Sequence, residues 1–441
     1  MRSKKVALIN LGCPKNLVDG EEILGRVAGS GSTICQYPED AEVLIINTCG
    51  FIDDSKKESI DTILKAARLK EDARCKKIIV TGCLAQRYPK ELKEEIPEID
   101  HVVGLKDFHK LTNLSRSTRK KEGITSLQCN DDWRNRIRLT PKHYAYLRIS
   151  DGCDNRCSYC AIPGIRGKFI SRTIGNILEE VHQMASEGVK EINIISQDTT
   201  SYGMDLYGKQ KLHILLEKIS KVKGIEWIRI LYTHPGHFYP ELIQVIASHD
   251  TICKYIDLPI QHINDVILKR MGRGGTHATI ENLIHDLRNH IPRLFLRTSV
   301  IVGFPGETEE QFHELLDFIK TIQFERLGVF TYSKEDSTPA ASFKDQVPKK
   351  VKERRLKEVM LAQQEITMKK HRDLIGCSIP VIMDERDEKT GCLVGRTYGD
   401  APDVDSRVII EENHLKIGDI KNMIIKNILG YDLIGTYKKW K

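Results

Sequence analysis

Three cysteines, Cys153, Cys157 and Cys160, fall within eight residues directly after the apolar run Tyr144-Ala-Tyr-Leu-Arg-Ile149. Thiols so spaced can turn inward from one loop onto a single metal centre. Structural zinc sites are closed by four ligands, usually as paired Cys-x-x-Cys units, and cubane iron–sulfur clusters normally take four thiolates. A triad therefore implies an open coordination position, where a substrate or cofactor can bind. The plainer alternative is a chance group of free or buried thiols. Against it stand the tight spacing and the loop residues Gly152, Asp154, Asn155 and Arg156.

A second triad is dispersed. Cys13, Cys49 and Cys83 each end a short apolar run: Val6-Ala-Leu-Ile-Asn-Leu-Gly-Cys13, Val43-Leu-Ile-Ile-Asn-Thr-Cys49 and Ile78-Ile-Val-Thr-Gly-Cys83. The segments between, such as 53–67, carry helical periodicity. Strand alternating with helix predicts a parallel sheet covered by helices, and such sheets bind ligands beyond the carboxyl ends of their strands. Three cysteines in that one register converge, and again only three ligands are supplied. The other six of the twelve cysteines, Cys35, Cys75, Cys129, Cys253, Cys377 and Cys392, read as packing residues or free thiols.

The elements that must position these residues divide the chain into three parts. A length of 441 residues suits two or three domains. The N-terminal part, 1–125, is the α/β domain just described. A basic, irregular linker from about 106 to 142 includes Arg116, Arg119, Lys120 and Lys121. The second part, 139–371, contains six apolar runs: the one before Cys153, then 191–196, 227–233, 254–259, 295–303 and 325–332. With helices between them they predict a partial (β/α)6 barrel, whose chemistry belongs at the carboxyl ends of the strands. Those ends carry Ser196-Gln-Asp198, Thr233-His-Pro235, Gln261-His262 and Gly303-Phe-Pro-Gly-Glu307. Gly303 and Gly306 there would let backbone approach a flat ligand. His234, His237 and His262 read as hydrogen-bonded or surface histidines before they read as acid–base groups. A charged helix from 347 to 371 connects to the third part, 374–441, whose short glycine-separated runs predict a small antiparallel β-barrel. Between Asp384 and Glu412 nine acidic residues (Asp384, Glu385, Asp387, Glu388, Asp400, Asp403, Asp405, Glu411, Glu412) face four basic ones (Arg386, Lys389, Arg396, Arg407), a net −5 that repels phosphates and attracts a basic protein.

The mild net charge of +7 permits a nucleic-acid partner without requiring one. The opening Met1-Arg-Ser-Lys-Lys5 leads into an apolar stretch too short for a signal peptide, and no run is long enough to span a bilayer. A cytoplasmic protein without a membrane partner is expected, and in that setting twelve cysteines indicate metal or redox chemistry rather than disulfides.

Cys-x3-Cys-x2-Cys with Tyr159 before its last cysteine resembles the signature of the radical S-adenosylmethionine enzymes. The resemblance implies a 4Fe–4S cluster on Cys153, Cys157 and Cys160, with S-adenosylmethionine on the open iron. It also implies cofactor contacts from Tyr159, from Ser196 and Gln197 (where the superfamily more often has Gly-Gly-Glu), and from Val302 and Gly303 in a segment that lies along adenine. The cysteine-bearing first domain, the radical core and the terminal barrel, which resembles a TRAM domain, together look like the methylthiotransferases over nearly the whole chain. Leu11-Gly-Cys-Pro-Lys-Asn-Leu-Val-Asp19, Asn47-Thr-Cys-Gly-Phe-Ile-Asp-Asp54, Asp151-Gly-Cys-Asp-Asn-Arg-Cys157 and Tyr398-Gly-Asp-Ala-Pro-Asp-Val-Asp405 are similar to the branch that acts on small-subunit ribosomal protein twelve.

That branch converts an aspartate to 3-methylthioaspartate. An unactivated Cβ–H has no acidic proton, so a cofactor-derived radical is needed. The resemblance implies a second 4Fe–4S cluster on Cys13, Cys49 and Cys83 carrying the sulfur, a second S-adenosylmethionine as methyl donor, and a flavodoxin- or ferredoxin-like electron donor. A monomer is expected. The competing readings are the sister branch, which modifies a tRNA adenosine, and an electron-carrying or sensing iron–sulfur protein. Carriers need closed clusters, which two triads do not give.

Overall fold

Runs that are apolar on both faces become the central strands of two parallel sheets. In the computed structural model, which describes residues 3–72, 74–115, 132–412 and 414–437, β1 (Lys5–Asn10), β2 (Thr33–Ile34), β3 (Val43–Thr48), β4 (Lys77–Gly82) and β5 (His101–Val103) form one sheet in the order β2-β1-β3-β4-β5. All six residues of β3 are buried, as a strand covered on both sides requires. β1, β3 and β4 are neighbours with Asn10 opposite Asn47 and Thr48 opposite Gly82, so the residues that follow them leave the sheet side by side.

The second sheet holds β6 (Tyr144–Arg148) and, after the small hairpin β7 (Ser150–Asp151) and β8 (Ile170–Ser171), β9 (Glu191–Ile195), β10 (Trp227–Ile230), β11 (Ile252–Asp257), β12 (Phe295–Val302) and β13 (Arg326–Thr331). The order is β13-β12-β11-β10-β9-β6, every pairing parallel, which is the six-stranded partial barrel. Its helices start from sequence-encoded caps. Thr276 with Thr279, and Thr308 with Gln311, form reciprocal capping boxes.

The long helix Lys349–Leu374 packs its buried Val359, Ala362 and Ile366 into the core of the partial barrel. Its charges are partly paired rather than simply solvated: Arg355 holds Glu307 and Glu309, and Lys370 holds Glu325. Beyond it β14 (Ser378–Arg386), β15 (Leu393–Thr397), β16 (Val408–Ile410), β17 (Ile420–Leu429) and β18 (Asp432–Thr436) close into a barrel. Four of its pairings are antiparallel. β16 and β18 run parallel, which an all-antiparallel reading misses because β17 intervenes in sequence between them.

This barrel seals the amino-terminal end of the strands of the partial barrel. Arg396 reaches Glu191 at the start of β9, Asp400 pairs with Arg326 at the start of β13, Asp384 bonds His143 just before β6, and Tyr398 lies edge-on to Phe295 at 5.3 Å. The expected acidic surface is thereby reduced. Asp384, Asp400 and Asp405 turn inward onto Arg396, Arg326 and Arg297, while Glu385, Glu388, Asp403 and Glu411 stay exposed. The N-terminal sheet docks at the opposite end, where the strands finish. The linker residues Arg116, Arg119, Lys120 and Lys121, and Cys129, lie outside the described residues.

Candidate functional site

Gly12 ends the first strand's turn at φ +90°. A Cβ there would lie 2.7 Å from Cys49 Cβ and 3.0 Å from its Sγ, so only glycine lets the Cys13 turn close against Cys49. Cys13 then caps the helix Pro14–Gly29, whose first residue is a proline suited to that position. Cys83 opens the helix Cys83–Arg87 directly after β4. Asn16, one turn into the first helix and fully buried, ties the three strand ends together. Its amide donates to Leu11 O and Thr48 O, and its Oδ1 lies 3.3 Å from Cys83 Sγ. Cys83 and Cys49 are buried and Cys13 is exposed. Burial pushes the Cys83 thiol up to about 12 and raises that of Cys49.

The compact triad follows β6. Gly152, at φ +73°, passes so close to Lys168 that a Cβ would sit 2.0 Å from its carbonyl oxygen. The loop is then pinned by Cys153 N to Gly167 O, Phe169 N to the Asp154 carboxylate, Asn155 Nδ2 to Asp198 at 3.0 Å, and Ser158 to the backbone of Arg270 and Met271. Burial raises Cys153 to about 11 and Cys160 to about 12. Arg273 Nη1 lies 3.8 Å from Cys157 Sγ.

Arg166 links the two triads. Its Nη2 donates to Asn16 Oδ1 at 3.0 Å and Asp19 at 2.6 Å and lies 3.8 Å from Cys83 Sγ, while its Nη1 lies 3.3 Å from Asp151, two residues before Cys153. Asp19 also takes Arg148, which is held bidentately by Glu22. The N-terminal helix is thus clamped over the carboxyl end of the partial barrel, with the Arg166 guanidinium between Cys83 and the residue two before Cys153.

Of the residues expected to touch a cofactor, Gln197 donates to Asp151 at 3.0 Å and keeps Oε1 buried without a partner among the described residues. Ser196 hydroxyl-bonds Ser150. Tyr159 packs in the apolar cluster that holds Phe304, the residue after Gly303. Val302 ends β12, its carbonyl accepting from Tyr332 N. Glu307 accepts from Gly303 N at 2.8 Å and Phe304 N, fixing the turn, and Arg355 fixes Glu307. On the side where a Cβ would stand, both glycines are covered by neighbouring side chains. A Cβ on Gly303 would meet Lys352 Cγ at 2.3 Å, and one on Gly306 the Arg270 guanidinium at 2.4 Å. His234, His237 and His262 are hydrogen-bonded, to Gly236 N, Asp198 and Asn264 N. Beside the triad loop, Asn155, His234, His237, Gly272 and Thr279 line a cavity of about 510 Å3.

Among the described residues, no three cysteine, histidine or carboxylate side chains gather into a shell for a single metal ion. The expectation for each triad is a cluster, not one ion. A cubane cluster binds each thiolate through a different iron and so takes more widely separated sulfurs. The donor set fits such a cluster: both triads are all sulfur, and each has a guanidinium beside it, Arg166 or Arg273, to offset anionic charge. The orphaned Gln197 acceptor fits an ammonium group such as the amino group of S-adenosylmethionine.

Residues 147–319 match the Radical SAM superfamily, 5–104 the Uncharacterized protein family UPF0004, and 375–437 the TRAM domain. The chain is 45% identical to the ribosomal protein uS12 methylthiotransferase RimO of Clostridium perfringens, over 99% of its own length and 98% of the relative's. Its identity is 46% to the protein of that name from Clostridium botulinum over the same shares, and 47% to that from Desulforamulus reducens over 98% of each. The chain belongs to the uS12 methylthiotransferases.

For the fold, this uS12 methylthiotransferase is similar to the radical S-adenosylmethionine methyltransferase TsrM from Kitasatospora setae, solved with cobalamin and a [4Fe-4S] cluster (TM-score 0.54, 14% identity, 77% of each chain). It is also similar to the cobalamin-dependent radical enzyme OxsB (TM-score 0.52, 13% identity, 83% of this chain and 56% of that one). Sequence reasoning on the methylthiotransferase chain missed Arg166, Arg273 and the Asn155–Asp198 bond. Only Asn16 and Asp19 had a signal, one and nearly two helical turns after Cys13.

Proposed function

We propose that this chain inserts sulfur at the Cβ of an aspartate of ribosomal protein uS12 and methylates it, giving 3-methylthioaspartate. Arg166 carries the reading, because one guanidinium touches both Cys83 and the base of the second triad, so that one side chain joins two sulfur-rich sites. Identity near one half to uS12 methylthiotransferases over the full length favours a protein substrate over a tRNA adenosine.

Cys153, Cys157 and Cys160 would hold one 4Fe–4S cluster, Cys13, Cys49 and Cys83 another, and Tyr159, Ser196, Gln197, Val302 and Gly303 would contact S-adenosylmethionine. When bound, these groups supply reductive cleavage of S-adenosylmethionine, a sulfur atom and a methyl group. The chain's own part is placement and exclusion. Gly152 and Asn155 fix the triad loop. Glu307 fixes the turn after β12. Arg148, Arg166, Asp19 and Glu22 clamp the N-terminal helix over the mouth and keep water from a reactive carbon centre. Arg166 and Arg273 offset negative charge on buried sulfur.

Among the described residues no helix is long and apolar enough to cross a membrane. The protein works in the cytoplasm, where uS12 is found, as a monomer fed by a flavodoxin- or ferredoxin-like donor. Anaerobic reconstitution with uS12, S-adenosylmethionine and a reductant, followed by mass spectrometry of uS12, tests the assignment. Formation of 5′-deoxyadenosine with uS12 unmodified, and a tRNA adenosine methylthiolated instead, would transfer the enzyme to the sister branch.

A further inference from the structure

Lys15 is only 8% exposed, yet among the described residues its ammonium has no carboxylate or hydrogen-bond partner. Its contact is the face of Tyr232, 3.0 Å from ring centroid to Nζ. Tyr232 lies just past the end of β10, in a left-handed conformation at φ +59° that turns the chain at the mouth of the partial barrel. Lys15 itself follows Cys13 by two residues. It therefore lies between Cys13 and Tyr232, at the mouth of the partial barrel.

The anionic groups within its electrostatic reach are Cys13, two residues before it, and two carboxylates that are already taken. Asp257 accepts from Arg297 Nη1 at 2.8 Å and from Tyr232 N at 2.9 Å. Asp151 accepts from Arg166 and Gln197. A desolvated cation is costly, and one whose neighbouring carboxylates are engaged elsewhere can take an anionic ligand.

We propose that Lys15 is the receptor for the side-chain carboxylate of the substrate, which makes it a specificity-determining residue; the inference rests on the aspartate reading above. In aspartate the Cβ–H bond is adjacent to the carboxylate. Holding that carboxylate at Lys15 holds Cβ beside Cys13 and so beside the sulfur-bearing triad. A neutral amide in its place loses the charge-assisted bond.

The test compares binding of uS12, and of uS12 with the modified aspartate changed to asparagine, to the reconstituted full chain and its Lys15→Met and Lys15→Arg variants. Iron content is measured alongside. Lys15→Met removes an unpaired buried charge and keeps the length of the stem, so it folds with stability equal to or above that of the parent. The parent and Lys15→Arg bind the aspartate form about tenfold or more tighter than the asparagine form, and Lys15→Met binds the two alike. Discrimination that persists in Lys15→Met overturns the proposal. So does loss of about half the iron in that variant, which would make Lys15 a counter-ion for a cluster. If the parent never modifies uS12, the aspartate reading has failed. If it does and Lys15→Met still discriminates, only the role of Lys15 has failed.

Discussion

Arg166 places a guanidinium nitrogen 3.8 Å from the sulfur of Cys83, although the two residues lie on different sheets' connections and 83 positions apart. The same nitrogen holds Asp19 at 2.6 Å, and both Arg166 and Asp19 side chains are almost fully buried. Arg166→Met removes one of the two guanidinium partners of the buried Asp19, leaving Arg148, so it should cost about 1–3 kcal/mol of stability and weaken iron loading at the N-terminal triad. Arg166→Lys should recover less than half of that loss, because a point charge cannot bridge Asp19 and Asp151 together. Thermal unfolding and iron analysis of the three proteins check both statements.

The two triads should be separable. Cys153→Ala, Cys157→Ala or Cys160→Ala should abolish cleavage of S-adenosylmethionine. Replacing Cys13, Cys49 and Cys83 together should leave cleavage in place while abolishing the methylthio product. Either set should hold about four irons per chain in place of about eight. Chromatographic assay of 5′-deoxyadenosine, with iron counts, distinguishes these outcomes.

The pair Arg326–Asp400 joins the terminal barrel to the amino end of the partial barrel, Arg326 Nε donating at 2.9 Å with both side chains buried. Asp400→Ala should lower stability by about 3–5 kcal/mol. It should do so without altering iron content, since the triads lie at the opposite end. A melting curve paired with iron analysis reads this directly.

Buried imidazoles set the acid limit. Burial, aided by Arg355, holds His262 at about 3, and burial, aided by Arg326, holds His371 at about 4, against an ordinary value of 6.5. The unfolded chain binds these protons first, so the contribution of the two histidines is full above pH 6.5 and falls as pH drops toward 4, opposed by Glu307, which burial raises to about 7 and which gains as pH falls below that. Each histidine contributes a slope of about 1.4 kcal/mol per pH unit in that interval. Denaturant unfolding at pH 7.5 and pH 5 should show the loss, and it should be smaller in His371→Gln.

The parallel sheets and the site's location were legible because each rests on local pattern. Runs such as 43–48 are apolar throughout, and Cys13, Cys49 and Cys83 each close such a run. The parallel pairing of β16 with β18 was not legible, since it depends on which strand closes the barrel. The acidic count overstated the exposed charge, because sequence does not reveal that Asp384, Asp400 and Asp405 point at arginines inside the molecule. Arg166 and Arg273 were invisible for the same reason. Each acts on a partner brought near only by the packing of separate elements.

The central claim is that two sulfur-bound centres joined by Arg166 modify uS12 at an aspartate. The most direct measurement is tandem mass spectrometry of purified uS12 after anaerobic turnover with the reconstituted protein, S-adenosylmethionine and a flavodoxin-type reductant. The account predicts one methylthio group on the Cβ of a single aspartate, with 5′-deoxyadenosine formed alongside. Unmodified uS12 in the presence of ongoing S-adenosylmethionine cleavage would contradict it.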